Sequence, residues 1–255
     1  MRLAICSSKG GVGKTSTAVN LATVYGERGR TLAVDADPQD SLGRAFGIVA
    51  GPDDSLAAVL ADPDADITSI IRRDAAPGVD VAPSHPSLEG VGVTLAQNGA
   101  LVTSLRRALR PVFAQYDTIV IDTHGDNGNL TLAALSAADA VLTLFTSDPG
   151  SALGAVRLSS FLNNHRKYEN TDARLLGVAC SNWDKQGAAA REVSDALAAT
   201  DLPLFTTRIP FSRRVPSATL AKRPVVLSNP ASPVAQAYRS LATELARAYK
   251  QRTSQ

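Results

Sequence analysis

A glycine-rich stretch close to the amino terminus has the residue types and spacing of a phosphate-binding loop. Residues 8–15 read SKGGVGKT. The general phosphate-loop pattern is glycine, any four residues, and then glycine, lysine and serine or threonine. This chain departs from the pattern at its first position, where Ser8 stands in place of glycine, and it has an additional lysine, Lys9. A glycine-rich surface turn with two ordinary lysines is the alternative interpretation.

The residue types in this stretch suit a nucleoside triphosphate. Glycines permit positive φ angles and a close approach of backbone N–H groups to phosphate oxygens, and the N-terminus of a following helix favours negative charge. We expect Lys14 to reach the β- and γ-phosphates and the Thr15 hydroxyl to ligate Mg²⁺. The predicted nucleotide-binding residues of the loop are Lys9, Gly10, Gly11, Val12, Gly13, Lys14, Thr15 and Ser16.

Carboxylates follow two further apolar segments. Residues 34–39 read VDADPQ, and residues 118–122 read TIVID. Acids at the carboxyl ends of parallel strands can reach a metal ion and an attacking water. We therefore expect Asp122 to hold Mg²⁺, through a water. An aspartate-proline turn that merely ends a strand is the alternative for the first segment.

The elements that position these groups alternate along the chain. Apolar segments predict strands at residues 3–6, 31–34, 79–82, 118–121, 140–145, 175–179 and 205–209, and helices at 15–25, 101–109, 188–199 and 233–249. Apolar strands that alternate with helices indicate an α/β fold, a single domain whose mostly parallel, twisted β-sheet is flanked by helices on both faces. Residues 53–66, rich in aspartate, are predicted to be a surface excursion.

Composition restricts the class of protein. The chain has 255 residues, of which 44% are hydrophobic and 20% charged, enough for the core of one large domain. Cys6 and Cys180 lie far apart, so no disulfide framework is visible and a reducing cytoplasm is expected. No apolar run is long enough to span a bilayer. The formal net charge of +2 does not by itself imply nucleic-acid binding.

With Lys9 included, the loop KGGVGKT resembles the deviant Walker A motif of the ParA/MinD family of ATPases. VDADPQ is similar to the family's switch I motif, and TIVID to a Walker B element. The resemblance implies an ATP-dependent homodimer in which Lys9 reaches the phosphates of the partner's ATP, while Asp37 orients or activates the attacking water. Asp35 is left as a metal-side or structural partner. The implied catalytic residues are Lys9, Lys14 and Asp37, the implied metal-site residues are Thr15, Asp35 and Asp122, and the cofactors are ATP and Mg²⁺.

The resemblance covers nearly the whole chain but fails in the second switch. Relatives usually follow the Walker B acid with threonine or cysteine and two prolines, whereas residues 123–126 read THGD. His124 is expected either to touch the γ-phosphate region or to be a replacement loop residue without chemistry. By resemblance, Asn182, Pro210 and Phe211 are candidate adenine contacts. A buried asparagine that caps a strand is an equally good account of Asn182.

The carboxyl-terminal part favours the ParA branch of the family. The tail AYKQRTSQ is too polar for a membrane-binding helix, so no membrane partner is expected. ParA proteins bind double-stranded DNA without sequence preference as ATP-bound dimers, and the resemblance implies the same here; a solvated charged face is the alternative. The loop lies so near Met1 that no preceding helix-turn-helix domain is expected. The candidate DNA-contacting residues are Arg208, Arg213, Arg214, Lys222 and Arg223, extended by Lys185, Arg191 and Arg247.

The implied function is an ATP-dependent partition or positioning switch. Its dimer binds DNA on the nucleoid in the cytoplasm, and a ParB-like adaptor protein stimulates hydrolysis and release. Two alternatives within the family are an ATPase that positions a protein cargo and a low-turnover nucleotide-binding scaffold. A third is a metallocluster-assembly ATPase, which needs accessible cysteines; Cys6 and Cys180 both fall in predicted strands.

Overall fold

An eight-stranded sheet crosses the molecule in this computed structural model, which describes residues 1–125, 128–184 and 188–253. The strands are β1 Arg2–Cys6, β2 Thr31–Ala36, β3 Arg72–Ala76, β4 Val79–Ala82, β5 Thr118–Thr123, β6 Ala140–Phe145, β7 Arg174–Trp183 and β8 Leu204–Pro210. The helices are α1 Lys14–Gly26, α2 Ser41–Ala45, α3 Leu56–Ala61, α4 Leu88–Gln97, α5 Leu101–Leu109, α6 Asn129–Ala137, α7 Pro149–Lys167, α8 Ala188–Ala198, α9 Arg214–Leu220, α10 Val225–Ser228 and α11 Pro233–Thr253. Every strand and helix expected from the sequence is present.

The strand order places the loop after β1 at the centre of the sheet. The order is β3-β4-β2-β5-β1-β6-β7-β8, and all pairs are parallel except β3 with β4. The central strands β2, β5 and β6 are buried along their whole length, as apolar strands covered on both faces should be. Because parallel strands end at the same edge, the segments after β1, β2 and β5 meet there.

Helices cover both faces of the sheet and form two hydrophobic cores. On one face, residues of α3, α5, α6, α7 and α8 pack together, with Leu105 and Leu158 fully buried. On the other face, α1, α9, α10 and α11 pack together, with Leu21 and Leu241 fully buried. This two-faced arrangement confirms the α/β fold expected from the sequence.

One local expectation is wrong, and one strand was not predicted. Residues 53–66 are not simply a surface excursion, because Leu56, Val59 and Leu60 lie on one side of α3 and are buried in the core. The exposed aspartates that flank the helix concealed this short amphipathic turn. Strand β3 was missed altogether, because the sequence RRDAA of this antiparallel edge strand has no apolar run.

Candidate functional site

The glycine-rich loop connects the end of β1 to the start of α1. Gly11 and Gly13 have φ angles of 76° and 87°, in the left-handed region where glycine is favoured. Gly10 is not among the positive-φ residues, so the expectation of a left-handed backbone holds for only two of the three glycines. Gly10 is instead the residue that the second switch approaches, since a Cβ on Gly125 would lie 3.1 Å from its Cα.

The sheet supports the glycine-rich loop through one buried side chain and one hydrogen bond. Val12 is buried in the core beneath the loop, so its backbone rather than its side chain is offered to a ligand. The Ser181 hydroxyl of β7 donates a hydrogen bond to the Val12 carbonyl (2.5 Å). Lys14 opens α1 and is only 7% exposed, whereas Thr15 and Ser16 are half-buried. The arrangement positions the loop, a candidate phosphate cradle, at the carboxyl edge of the sheet.

Lys9 is ion-paired within its own chain. Its Nζ lies 2.5 Å from Asp148 Oδ2, and both side chains are nearly half exposed. Asp148 also caps α7, because its Oδ1 accepts a hydrogen bond from the Gly150 N–H (2.7 Å). The hydrogen bond from Lys9 and the backbone N–H of Gly150 lower the pKa of the Asp148 carboxyl. Sequence reasoning missed Asp148, for which a capping Asp-Pro before a helix is the only local signal.

Asp35 and Asp122 face each other in register on neighbouring strands, and both are fully buried. Asp35 already has three donors: its Oδ1 accepts from the Asp37 N–H (3.2 Å), and its Oδ2 accepts from the N–H groups of Leu42 (2.9 Å) and Gly43 (3.0 Å). These bonds tie the switch I loop and the start of α2 to the end of β2. Of the two roles expected for Asp35, the geometry favours the structural one.

Asp122 is a fully buried carboxylate that the described part of the chain supplies with no hydrogen bond of normal geometry at either oxygen. Burial raises the pKa of Asp122 to about 7, and the nearby Thr15 and Lys14 oppose this rise. Burial together with the facing Asp122 also raises the pKa of Asp35. Two carboxylate oxygens without a normal hydrogen bond, beside a threonine hydroxyl, form an oxygen-rich donor set that suits Mg²⁺, so Asp122 and Thr15 fit the metal better than Asp35 does.

Asp37 and His124 form a contact between the two switches. The Asp37 side chain is 12% exposed, and its Oδ1 accepts a hydrogen bond from the Gln39 N–H (2.9 Å). The same Oδ1 lies 3.0 Å from His124 Nδ1. His124 thus contacts the first switch, and the two roles expected for it, at the γ-phosphate or without chemistry, stay predictions. Its contact with Asp37 could not be read from the sequence.

The candidate adenine contacts lie together in one cleft of about 690 Å³. Asn182 is exposed there and has a φ of 52°, which contradicts its alternative role as a buried strand cap. Phe211 is 65% exposed, and its N–H donates to the Trp183 carbonyl (3.1 Å). Because Ser181 precedes Asn182 and bonds the loop, the cleft adjoins the phosphate cradle. The lining residues are Asn182, Trp183, Asp184, Pro210, Phe211, Ser212, Arg214, Pro233 and Val234.

The structure divides the candidate DNA-contacting residues between two places. Arg213, Arg214, Lys222 and Arg223 are exposed at the two ends of α9. Arg208 instead lies over the Trp183 ring, 4.1 Å from its centroid, and donates to a serine hydroxyl of α8 on the opposite face of the sheet. Arg191 and Arg247 lie on α8 and α11, and Lys185 falls outside the described residues. No helix in the described ranges is long and apolar enough to cross a membrane.

Known sequences match this chain over most of its length. A family model described as an AAA domain matches residues 1–175. The chain is 32% identical over 247 residues to the sporulation initiation inhibitor protein Soj of Bacillus subtilis (strain 168), which covers 96% of this chain and 97% of Soj. It is 30% identical to the chromosome partitioning protein ParA of Myxococcus xanthus, over 95% of this chain and 87% of that protein.

Solved structures share the fold. Apo McdA of Cyanothece superposes with a TM-score of 0.87 at 23% identity, covering 96% of this chain and 98% of McdA. Cobyrinic acid a,c-diamide synthase of Mycobacterium smegmatis, solved with a bound ATP analog and magnesium, has a TM-score of 0.83 at 27% identity over 98% of this chain and 95% of that chain. With these relatives and its two-lysine loop, the chain belongs to the ParA/MinD family of ATPases, which use ATP and Mg²⁺.

Proposed function

We propose that this ATPase is a DNA-associated positioning switch. With ATP and Mg²⁺ bound, two chains form a two-fold dimer, and each Lys9 reaches the triphosphate of its partner. The dimer binds double-stranded DNA without sequence preference on the nucleoid. A ParB-like adaptor then stimulates hydrolysis and releases the protein into the cytoplasm. The name of the Myxococcus xanthus ParA relative supports a role in chromosome partitioning.

The observation that carries the proposal is the position of Lys9. Its ammonium group is nearly half exposed beside the phosphate cradle and is paired with one similarly exposed carboxylate, Asp148. Such a surface pair is weak, so the lysine can exchange this carboxylate for a phosphate that carries more charge. The exchange would make ATP, and not ADP, the ligand that joins two chains.

In the proposed hydrolysis, each residue at the edge of the sheet has a separate role. Lys14 and the loop N–H groups hold the β- and γ-phosphates, while Thr15 and Asp122 hold Mg²⁺, which neutralises charge on the phosphate oxygens. Asp37 orients the attacking water and accepts its proton. The water oxygen bonds to the γ-phosphorus as the bond from that phosphorus to the ADP oxygen breaks, giving ADP and phosphate. The cleft around Asn182, Pro210 and Phe211 receives the adenine.

DNA binding is assigned to the exposed cations at the ends of α9. Lysine and arginine side chains bind backbone phosphates without reading sequence, and their affinity falls steeply with salt. A two-fold dimer presents the set twice, which increases the avidity for a long duplex. DNA affinity therefore depends on ATP without any nucleotide-induced change in the basic surface itself.

Dimerisation and DNA binding test the proposal together. The purified protein is mixed with a nonhydrolysable ATP analogue and Mg²⁺ or with ADP, and its mass is measured by light scattering and its affinity for a labelled duplex by anisotropy. We expect dimers and salt-sensitive DNA binding with the ATP analogue and Mg²⁺, and neither with ADP. Lys9→Ala should still bind a fluorescent nucleotide but remain monomeric. A wild-type chain that stays monomeric when saturated, or a Lys9→Ala variant that dimerises equally well, would overturn the proposal.

The alternatives predict different turnover. A nucleotide-binding scaffold would hydrolyse ATP no faster than its Asp37→Ala variant, with or without DNA. An ATPase that positions a protein cargo would retain DNA-dependent turnover and differ only in the protein it carries. A cluster-assembling ATPase is the least supported, because Cys6 and Cys180 are both buried and burial raises the thiol pKa of Cys6 to about 12 and of Cys180 to about 11.

A further inference from the structure

The contact between His124 and Asp37 joins the second switch to the first. It follows from strand register: Ala36 at the end of β2 is paired with Thr123 at the end of β5. The next residue of each chain segment is therefore Asp37 on one side and His124 on the other. A histidine at this position places a hydrogen-bonding ring opposite the carboxylate that is assigned to the attacking water.

The backbone around His124 is anchored on two sides. The Thr123 hydroxyl donates a hydrogen bond to the Ile5 carbonyl of β1 (2.9 Å). Gly125 lies against the phosphate loop, where an added Cβ would be 3.1 Å from Gly10 Cα and 3.4 Å from Lys14 Nζ. The ring of His124 thus projects from a backbone held at a set position relative to the site.

Hydrogen bonding, more than packing, determines where the ring of His124 lies. The side chain is 42% exposed and borders a cavity of about 250 Å³. An ionised carboxylate can only accept, so Nδ1 carries the proton in this contact and donates it to Asp37 Oδ1. That oxygen also accepts from the Gln39 N–H. Among the described residues, Oδ2 of Asp37 has no recorded hydrogen bond, and it is the oxygen left to bind water.

We propose that His124 is a positioning residue for hydrolysis: its Nδ1–H holds Oδ1 of Asp37, so that Oδ2 is directed at the attacking water. This inference rests on the proposed role of Asp37. Without the histidine donor, one backbone N–H alone restrains the carboxylate, which can then rotate about its terminal torsion. Misorientation of a catalytic group lowers the rate of the chemical step without weakening the binding of ATP.

Four substitutions at His124 separate donor, ring and fold. Asparagine places an amide N–H near the position of Nδ1, glutamine places it one bond farther out, phenylalanine retains a ring without a donor, and alanine removes both. Hydrolysis is measured under single-turnover conditions, and nucleotide affinity with a fluorescent ATP analogue. We expect rate constants about tenfold lower or more for His124→Ala, His124→Phe and His124→Gln, with near-wild-type rates for His124→Asn and nucleotide affinities within about twofold throughout.

Thermal unfolding and the Asp37→Ala background complete the test. Because the side chain is substantially exposed, all four variants should fold with a Tm close to that of the wild type. In the Asp37→Ala background, His124→Ala should cause no further loss of rate. A normal rate in His124→Ala, equal losses in the asparagine and glutamine variants, or a loss of affinity instead of rate would each overturn this inference while leaving the function intact. Unimpaired hydrolysis in Asp37→Ala would overturn the assigned role of Asp37 itself.

Discussion

Asp35, Asp37 and Asp122 are identical side chains at the same edge of the sheet, and their donors separate them into three roles. Asp35 accepts three backbone hydrogen bonds and holds the loop. Asp37 has one oxygen occupied by Gln39 and His124. Asp122 has no donor of normal geometry among the described residues. A buried carboxylate without donors is costly unless a cation compensates it, which makes Asp122 the residue most dependent on Mg²⁺.

Asp122→Asn should therefore stabilise the nucleotide-free protein while abolishing Mg²⁺-dependent hydrolysis. Because the folded-state pKa of Asp122 is raised, the wild type keeps its full stability only well below the unfolded pKa of 3.8, and it loses stability as the pH rises from there to about 7. Asparagine does not titrate. Relative to the wild type, the unfolding free energy of the variant should increase by about 3 kcal/mol between pH 5 and pH 8, and its Tm should rise accordingly. A difference in Tm that stays constant over this range would contradict the assignment.

At the scale of elements, some helices and loops approach each other so closely that only a glycine fits between them. The carboxyl end of α1 lies against the turn between β3 and β4, where a Cβ on Gly78 would be 2.1 Å from the Gly26 carbonyl oxygen. A similar approach occurs near the site, where a Cβ on Gly154 of α7 would be 2.5 Å from Ser8 Oγ. The serine that departs from the general loop pattern is thus matched by a glycine on the facing helix.

The crossing at Gly78 can be tested with a matched control. Gly78 and Gly99 both have a φ of 70°, but a Cβ on Gly99 would meet nothing within 4 Å. Gly99→Ala should cost only the strain of the left-handed backbone, about 1–2 kcal/mol. Gly78→Ala should cost at least about 3 kcal/mol and lower the Tm by roughly 6 °C or more. Equal melting temperatures for the two variants would show that the crossing tolerates a side chain.

At the scale of the whole molecule, the candidate DNA-contacting residues lie on two different faces of the sheet. One chain also forms only half of the proposed dimer. The cations around α9 and the arginine over Trp183 lie on different faces. A DNA duplex that contacts the cations around α9 need not contact Arg208. Lys9 is paired with Asp148 in the single chain. In the proposed dimer, it leaves Asp148 and binds the partner's ATP.

Charge reversal distinguishes the two basic places. The double variant Arg213→Glu, Arg223→Glu changes the α9 set without altering the lining of the adenine cleft. This double variant should bind the duplex at least about tenfold more weakly. The slope of log affinity against log salt concentration should become shallower by about one for each phosphate contact removed. Arg208→Glu should have little effect on duplex affinity, and both variants should dimerise normally. A greater loss in Arg208→Glu would place the DNA on the other face.

Removal of the Asp148 charge tests the exchange of Lys9. Asparagine is also a good N-cap, so Asp148→Asn keeps the bond from Gly150 while it abolishes the ion pair. With a nonhydrolysable ATP analogue, the protein concentration needed for half-dimerisation should fall about two- to fivefold. Mass photometry across a dilution series measures this concentration, with Lys9→Ala as the monomeric reference. A threshold equal to that of the wild type would mean that Asp148 does not compete for the lysine.

The sequence by itself determined the phosphate loop, the acids that end the central strands and the α/β class. These features are local: a loop between strand and helix requires glycines within a few residues, and parallel strands bring their carboxyl ends to one edge whatever lies between them. Only the tertiary structure decided the partners of the functional side chains. Lys9 and Asp148 are 139 residues apart, and Asp37 and His124 are 87 apart. Strand order and register, which come from packing the whole sheet, bring such pairs together, and no local pattern records them.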